Sequence, residues 1–327
     1  MVDTVYGDIS PRTAAHASRE LLKRGIPYLV LEKFGQAKPL PGRSSKTITF
    51  RRYSALSTTP NALTEGVTPS AKQLSSVDVS VTLAQYGDLV TISDIIMDTH
   101  EDPVLMETIE LLGEQSAQMI EVVRYNKLKA GTSVEYANGS ARNAVNTVIT
   151  IAFQRRVTRS LKRQNARKIT KVVRSTPSWG TEAVAPSFIG LVHSDLESDI
   201  RDMTGFVPCE KYGSMTPYES EIGKVEDVRY ISSTIFTAFA DAGGAKGTML
   251  STTGTSADVY PVLYVARDAY GIVPLKGKTA ITPMVVNPKP SDSDPLGQRG
   301  HVAWKSMQNA VILNDLWMVR GEVAVKA

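Results

Sequence analysis

Val77, Val79, Val81 and Leu83 alternate with Asp78, Ser80 and Thr82, and this period of two predicts a strand with one apolar face. Upstream, Ile48, Phe50 and Arg52 alternate with Thr47, Thr49 and Arg51, and a third apolar run, 89–92, follows Gly87. Between the first two segments lies 54–76, rich in Ser, Thr, Pro and Asn. A connection that long inside a compact domain is unusual and often functional. A two-stranded hairpin is also marginal in water unless something covers its apolar face. Either the rest of the chain covers this hairpin or another copy does.

The remainder is long enough to supply a body for it. At about 150 residues per domain, 327 residues make roughly two domains. Hydrophobic residues at 42% and charged residues at 21% exclude a mostly disordered chain, a collagen-like repeat and a disulfide scaffold. The apolar runs are too short for a transmembrane helix, so no membrane partner is expected. Residues 1–10 carry Asp3 and Asp8 and no apolar core, which does not fit a signal peptide. Cys209 is the single cysteine, which rules out an internal disulfide and a cysteine-based zinc site.

Local signals place further elements. Ser10, Pro11 and Gly25 frame a short helix over 11–23, after which Pro39, Pro41 and Gly42 break the chain into an extended arm. The strongest helix covers 103–129. Leu105, Ile109, Leu112, Met119 and Val123 give it an apolar face, acids sit early, and Lys127 and Lys129 sit late, in keeping with the helix dipole. A second helix is expected over 147–164, with Ile149, Phe153, Val157 and Leu161 on one side and Arg155, Arg159, Lys162 and Arg163 mainly on the other. Beyond 176 the chain reads as short strands and loops: strands at 187–192, 259–266, 285–286 and 316–325, a short helix at 195–203, and a glycine-rich loop at 241–254.

The net charge of +4 conceals a separation of signs. From 151 to 174 the chain carries Arg155, Arg156, Arg159, Lys162, Arg163, Arg167, Lys168, Lys171 and Arg174 with no acid among them. From 195 to 227, Asp195, Glu197, Asp199, Asp202, Glu210, Glu219, Glu221, Glu226 and Asp227 outweigh Arg201, Lys211 and Lys224. Blocks of this kind suit different partners, complementary surfaces on neighbouring copies, or two solvated faces.

Catalytic constellations are thin. His16, His100, His193 and His301 show no metal-ligand spacing, and His193 near Asp195 reads as a strand-end histidine. Ser194 lacks a nucleophile elbow. Residues 243–248 lack the spacer and the Gly-Lys-Ser/Thr ending of a phosphate loop, and Asp292 with Asp294 is too small a set to specify a cation. No enzyme activity, cofactor or metal is expected.

Four segments then line up in order. FGQAKPLP (34–41) runs into KTITFRRY (46–53), and LVHSDLESDIRD (191–202) joins a strand to a helix. DPLGQRGHVAWK (294–305) is followed by AVILNDLWMVRGEVA (310–324). Together these resemble the major capsid proteins of tailed bacteriophages, in the group typified by coliphage N-four, from about residue 12 onwards. The resemblance implies an α+β chain with the Hong Kong 97 fold. Residues 1–45 would be an N-terminal arm and 46–95 an extended loop hairpin lying across a neighbour. Residues 96–185 would be a peripheral domain with a spine helix, 186–283 an axial domain, and 284–327 a return into the peripheral domain.

The function implied is self-assembly as pentamers and hexamers into an icosahedral head in the virion, formed in the host cytoplasm. The partners would be other copies, a portal protein, scaffold and decoration proteins where these are used, and double-stranded DNA held without sequence specificity. An arm that starts almost at Met1 fits a matured chain, a separate scaffold or none. Val77, Val79, Val81 and Leu83 are expected to cover apolar surface on a neighbour or on the subunit itself. Arg51 and Arg52 would pair with acids of the next copy or stand solvated, and Arg299 would fix a tight loop or an intersubunit ion pair. The basic edge of Arg155, Arg159, Lys162 and Arg163 faces either the genome or another subunit. The alternatives are a nanocompartment shell of the same fold and a nucleic-acid-binding protein that uses helix 147–164.

Overall fold

The computed structural model describes residues 29–40, 45–99, 104–169, 186–212, 217–275, 281–288, 290 and 294–327. The helix expected over 11–23 lies outside them. In chain order the elements begin with β1 (Gln36–Ala37), β2 (Thr47–Tyr53), β3 (Ser76–Thr82), β4 (Ala84–Ser93), α1 (Asp94–Thr99), α2 (Val104–Lys129) and β5 (Val134–Tyr136). There follow α3 (Ile151–Arg163), β6 (Phe188–Val192), α4 (Glu197–Arg201), β7 (Phe206–Pro208), β8 (Glu221–Val225) and β9 (Val228–Ser232). The chain ends with β10 (Tyr260–Val265), β11 (Tyr270–Pro274), β12 (Thr282–Val286), β13 (Arg299–Ile312) and β14 (Met318–Val323).

These make two bodies and a ribbon. In the first body β13 pairs with β4, β12 and β11, and β11 takes β1 of the arm on its other edge. The second is a seven-stranded sheet in the order β5-β14-β10-β6-β9-β8-β7. The ribbon is the expected hairpin: β2 and β3 run antiparallel from Thr47 opposite Thr82 to Tyr53 opposite Ser76. The 89–92 run proves to be the end of a longer strand, β4, which pairs with β13 from Ala84 opposite Gln308 to Ser93 opposite Arg299.

α2 joins the two bodies, and this shifts its apolar face from the expected one. Ile109, Leu112 and Ile120 pack with Ile92, Val302 and Trp304 over the first sheet. Tyr125 and Leu128, a turn or two later, pack with Ile189, Leu263 and Val265 of the second. Val123 is only half-buried because the helix changes partner along its length. With 26 residues at about 1.5 Å each, it spans roughly 40 Å.

Two sequence groupings do not follow the packing. Helix 147–164, grouped with the spine helix, appears as α3 on the second sheet instead. Thr150 caps it by accepting the Phe153 N–H at 3.2 Å, and Phe153, Val157 and Leu161 pack against Tyr264, Val319 and Val323. Segment 316–325, expected as a strand of the peripheral domain, becomes β14 between β10 and β5 in that same sheet, where Arg320 donates to the Lys129 carbonyl at the end of α2. In both cases the apolar side chains find their complement there: β10 turns Tyr260, Val262 and Tyr264 to α3 and Leu263 and Val265 to α2.

The arm is held by a buried carboxylate. Glu121 of α2 is fully buried, and its Oε1 accepts the N–H groups of Val30 at 3.0 Å and Leu31 at 2.7 Å. The Tyr270 hydroxyl donates to the Leu31 carbonyl at 2.5 Å, and Arg124, also buried, reaches Glu32 at 3.4 Å. Close contact continues at Gly35, where a Cβ would sit 2.4 Å from the Tyr270 ring. Burial pushes the Glu121 carboxyl up to about 7, against the opposing pull of the two N–H groups and Arg124.

The folded chain therefore holds a proton at Glu121 that the unfolded chain releases near 4.5. This contribution to stability is complete below that pH and is lost as the pH rises through about 7. Glu121→Gln keeps the acceptor and removes the titration, so its melting temperature should lose the wild-type fall across this window. Glu121→Ala leaves both N–H groups unpaired, at about 1–3 kcal/mol each, and should expose residues 29–34 to limited proteolysis at native pH.

Candidate interaction interface

The hairpin is covered only at its base. Phe50, Val81 and Leu83 are buried with Leu40 and Val273, so the arm and β11 supply the apolar partner there. A Cβ at Gly271 would stand 2.9 Å from the Phe50 ring, so that docking requires the glycine. Burial then fades outward: Val81 is 4% exposed, Val79 half-buried and Val77 43% exposed. Beyond it Tyr53, Leu56, Leu63, Val67 and Leu74 are all exposed. Further exposed apolar residues, not anticipated from sequence, are Leu89 and Val90 on β4, Ile95 and Ile96 on α1, and Met106, Leu111 and Val122 on α2; as neighbours in one strand, Leu89 and Val90 face opposite sides of the sheet. Isolated exposed apolar residues are ordinary, whereas a run of them along one hairpin tip marks a contact surface.

Arg51 is engaged within its own hairpin: it faces Asp78 across the strands and donates to both carboxylate oxygens at 2.8 Å. These hydrogen bonds hold the Asp78 carboxyl below its usual range. Arg52 has no ion-pair partner among the described residues. With Lys38, Phe50, Val79, Leu313 and Trp317 it lines a cavity of about 310 Å³ between the hairpin base and the arm. Arg299 belongs to a tight turn, in which its N–H donates to Asp294 Oδ2 at 2.8 Å and the Gly297 N–H donates to the Asp294 carbonyl at 3.1 Å. Its side chain stays exposed, 4.0 Å from Asp294.

The basic helix is partly neutralised inside the chain. The turn between β8 and β9 carries Glu226 and Asp227. Glu226 takes Arg155 at 2.9 Å, and Asp227 takes Lys162 together with Lys168, the latter at 2.8 Å. The hydrogen bond from Arg155 holds the Glu226 carboxyl low. Asp227 is partly desolvated, which opposes its ionisation, yet the two lysines still hold it below the usual range. Arg156 bonds Glu135 at 3.1 Å. Arg159 and Arg163 remain exposed, with no ion-pair partner among the described residues.

His16, His100 and Asp292 lie outside the described residues, while His193 and the 243–248 loop resolve as structural contacts. His193 Nδ1 accepts the Asp195 N–H at 3.2 Å and closes a strand end, while Asp195 accepts the Tyr260 hydroxyl at 2.7 Å. The N–H groups of Gly243 and Gly244 are spent on the carbonyls of Ala257 and Val145, which leaves that loop no phosphate cradle. No group of metal ligands occurs among the described residues, and no described helix is long and apolar enough to cross a membrane.

Residues 76–227 match the family model described as phage capsid protein. Among solved structures the chain resembles the capsid of Ralstonia phage GP4, with 13% identity and a TM-score of 0.66, over 90% of this chain and 87% of that one. The capsid asymmetric unit of cyanophage Pam1 matches with 14% identity and a TM-score of 0.62, over 88% and 87% of the two chains. The head structure of Helicobacter pylori bacteriophage KHP40 matches with 11% identity and a TM-score of 0.56, over 89% and 87%. No curated protein matches the sequence. At these identities the structures establish a shared fold, the α+β architecture expected from the motifs.

Phe50 is the anchor to test for the hairpin base. Phe50→Ala should cost roughly 3 kcal/mol of local stability. Hydrogen exchange over 47–53 and 76–82 should accelerate while the seven-stranded sheet keeps its protection. Uniform loss of protection would show that the hairpin base and the body unfold as one unit.

Proposed function

We propose, proceeding from a chain that is a phage major capsid protein with the Hong Kong 97 fold, that it acts by self-association into pentamers and hexamers. These would close as an icosahedral head around double-stranded DNA in the virion, after assembly in the host cytoplasm and with a portal protein at one vertex. On this reading the body with α2 is the peripheral domain, the seven-stranded sheet the axial domain, and the β2–β3 ribbon the extended loop. No catalytic step is assigned to the chain.

The observation that carries the reading is the uncovered apolar tip of the hairpin, which exposes Leu63 at 73% and Leu74 at 65%. The tip projects from the body without apolar cover from its own chain, so its complement is a different surface on another copy, a head-to-tail contact. Such heterologous contacts close into rings. At about 25 cal/mol per Å² of apolar surface, covering each tip by the next copy favours association by several kcal/mol.

Negative-stain microscopy of the purified protein and of native particles tests the function, with closed shells expected. A small monodisperse species under every assembly condition would overturn it. Replacing Leu63, Val67 and Leu74 together by Ser should leave the monomer's melting temperature within about 1 °C, because none of them is buried within the chain. The same triple variant should sediment without shells.

A further inference from the structure

Contacts that repeat head to tail around a ring join two different surfaces. The seven-stranded sheet carries two such surfaces, of opposite charge, at opposite ends of its strands. α3 starts beside the end of β14, where Val148 bridges Ala324, and finishes beside the start of β14, where the Trp317 indole N–H donates to the Gln164 carbonyl at 3.0 Å. Its last turns therefore lie where β9 begins, next to Asp227. Arg159 and Arg163 stand there one helical turn apart, exposed, and Glu226 and Asp227 are already occupied by Arg155, Lys162 and Lys168. Like charges at this spacing repel unless an outside anion answers them.

α4 follows β6 and so sits at the other end of the same strands. Asp195, just before it, accepts from Tyr260 at the start of β10, and Asp199 accepts the Lys326 N–H beyond the end of β14 at 3.2 Å. Asp202 is exposed with no ion-pair partner among the described residues, and Glu197 reaches Arg201 of its own helix only at 3.8 Å. Strands of five or six residues separate the two ends by about 15–20 Å. Both helices cover the same face of the sheet, since Val157 and Leu161 share one apolar cluster with Leu196 and Ile200.

We infer that Arg159 and Arg163 of one copy pair with Glu197 and Asp202 of the next copy around a ring. The inference rests on the shell function proposed above and names a contact for it. A self-complementary patch would carry both signs together. Here Arg159 and Arg163 at one end find no acid within the described chain, while Glu197 and Asp202 at the other have a single base, Arg201 of α4, between them, an arrangement suited to a head-to-tail neighbour. Charges at such a rim set register and exclude wrong orientations more than they add affinity.

Charge exchange tests the pairing. Arg159→Glu with Arg163→Glu, and separately Glu197→Lys with Asp202→Lys, should each lower shell yield roughly tenfold or more at physiological salt, read by sedimentation and microscopy. Circular dichroism should show both variants folded. Arg159→Gln with Arg163→Gln, which places no new acid beside Glu226, should give an intermediate loss. The quadruple variant, with both ends reversed, should recover yield to within about threefold of wild type. Wild-type yield from the first pair of substitutions would overturn the inference, as would a quadruple variant that stays unassembled. Normal empty shells that fail to retain DNA would overturn it in favour of a phosphate contact. If the unmodified protein forms no shells at all, the shell function falls and this contact falls with it.

Discussion

The hairpin depends on the body to which its base is packed. It is held because β4 continues directly from β3 after a single residue, Leu83, and locks into β13 over its whole length. β13 is the one strand that touches β4, β11 and β12, and α2 lies against it. A ribbon projecting from a body can stay ordered only if its root is fixed on both strands. Here β4 fixes β3, while Phe50, packed in one cluster with Val273, fixes β2. The ladder therefore determines where the ribbon points and where its exposed apolar tip is carried. Weakening it would move the tip without altering any residue of the contact surface.

The arm is bound by different physics. Its own strand, β1, is two residues long and contributes little as a ladder. Glu121 and Tyr270 instead satisfy backbone groups of residues 30–31 in an apolar setting among Phe34, Leu128 and Ile272. One carboxylate oxygen holds two donors, and the other, Oε2, has no hydrogen-bond partner. Such a contact is specific but finely balanced, because desolvation of the carboxylate opposes the hydrogen bonds that it makes. Arm and ribbon, the two appendages, are thus set on the same body by a polar latch and an apolar root respectively, and they respond to different changes in solution.

Much of this was legible in sequence where a pattern is local. The period of two over 77–83 and 47–52 gave the ribbon, the amphipathic stretch over 103–129 gave α2, and the apolar run 187–192 gave β6. Reading failed where packing, not propensity, decides. β13 carries Lys305, Ser306, Gln308 and Asn309 in its interior, so no clean alternation announces a strand that is buried by its neighbours. Glu121 is one of several glutamates along α2, and only the arm's backbone turns it into a ligand. The apolar stripe of α3 fits any sheet face, and the complement supplied by Tyr264 and Val319 is a matter of topology. The candidate contact residues were half legible, since alternation identified Val77 and Val79 but no pattern foretold that Asp78 would take Arg51.

The near-neutral total charge has a physical reading that neither charged block reveals alone. Within the acidic block, Glu221 is buried against Arg229, and Glu226 and Asp227 answer the basic helix. Acids left over include Glu197 and Asp202 around α4 as well as Glu210, and bases left over include Arg159 and Arg163 at the far end of α3. Folding therefore answers part of the charge internally and leaves some of each sign at opposite ends of one sheet. Copies with this arrangement attract end to end and repel when like ends meet, and each contact formed leaves a fresh end of each sign for the next copy. Apolar tips alone would adhere in many orientations. A weak, directional charge pairing added to a strong, undirected apolar contact is a physical route by which a subunit can close rings of defined size without forming amorphous clusters.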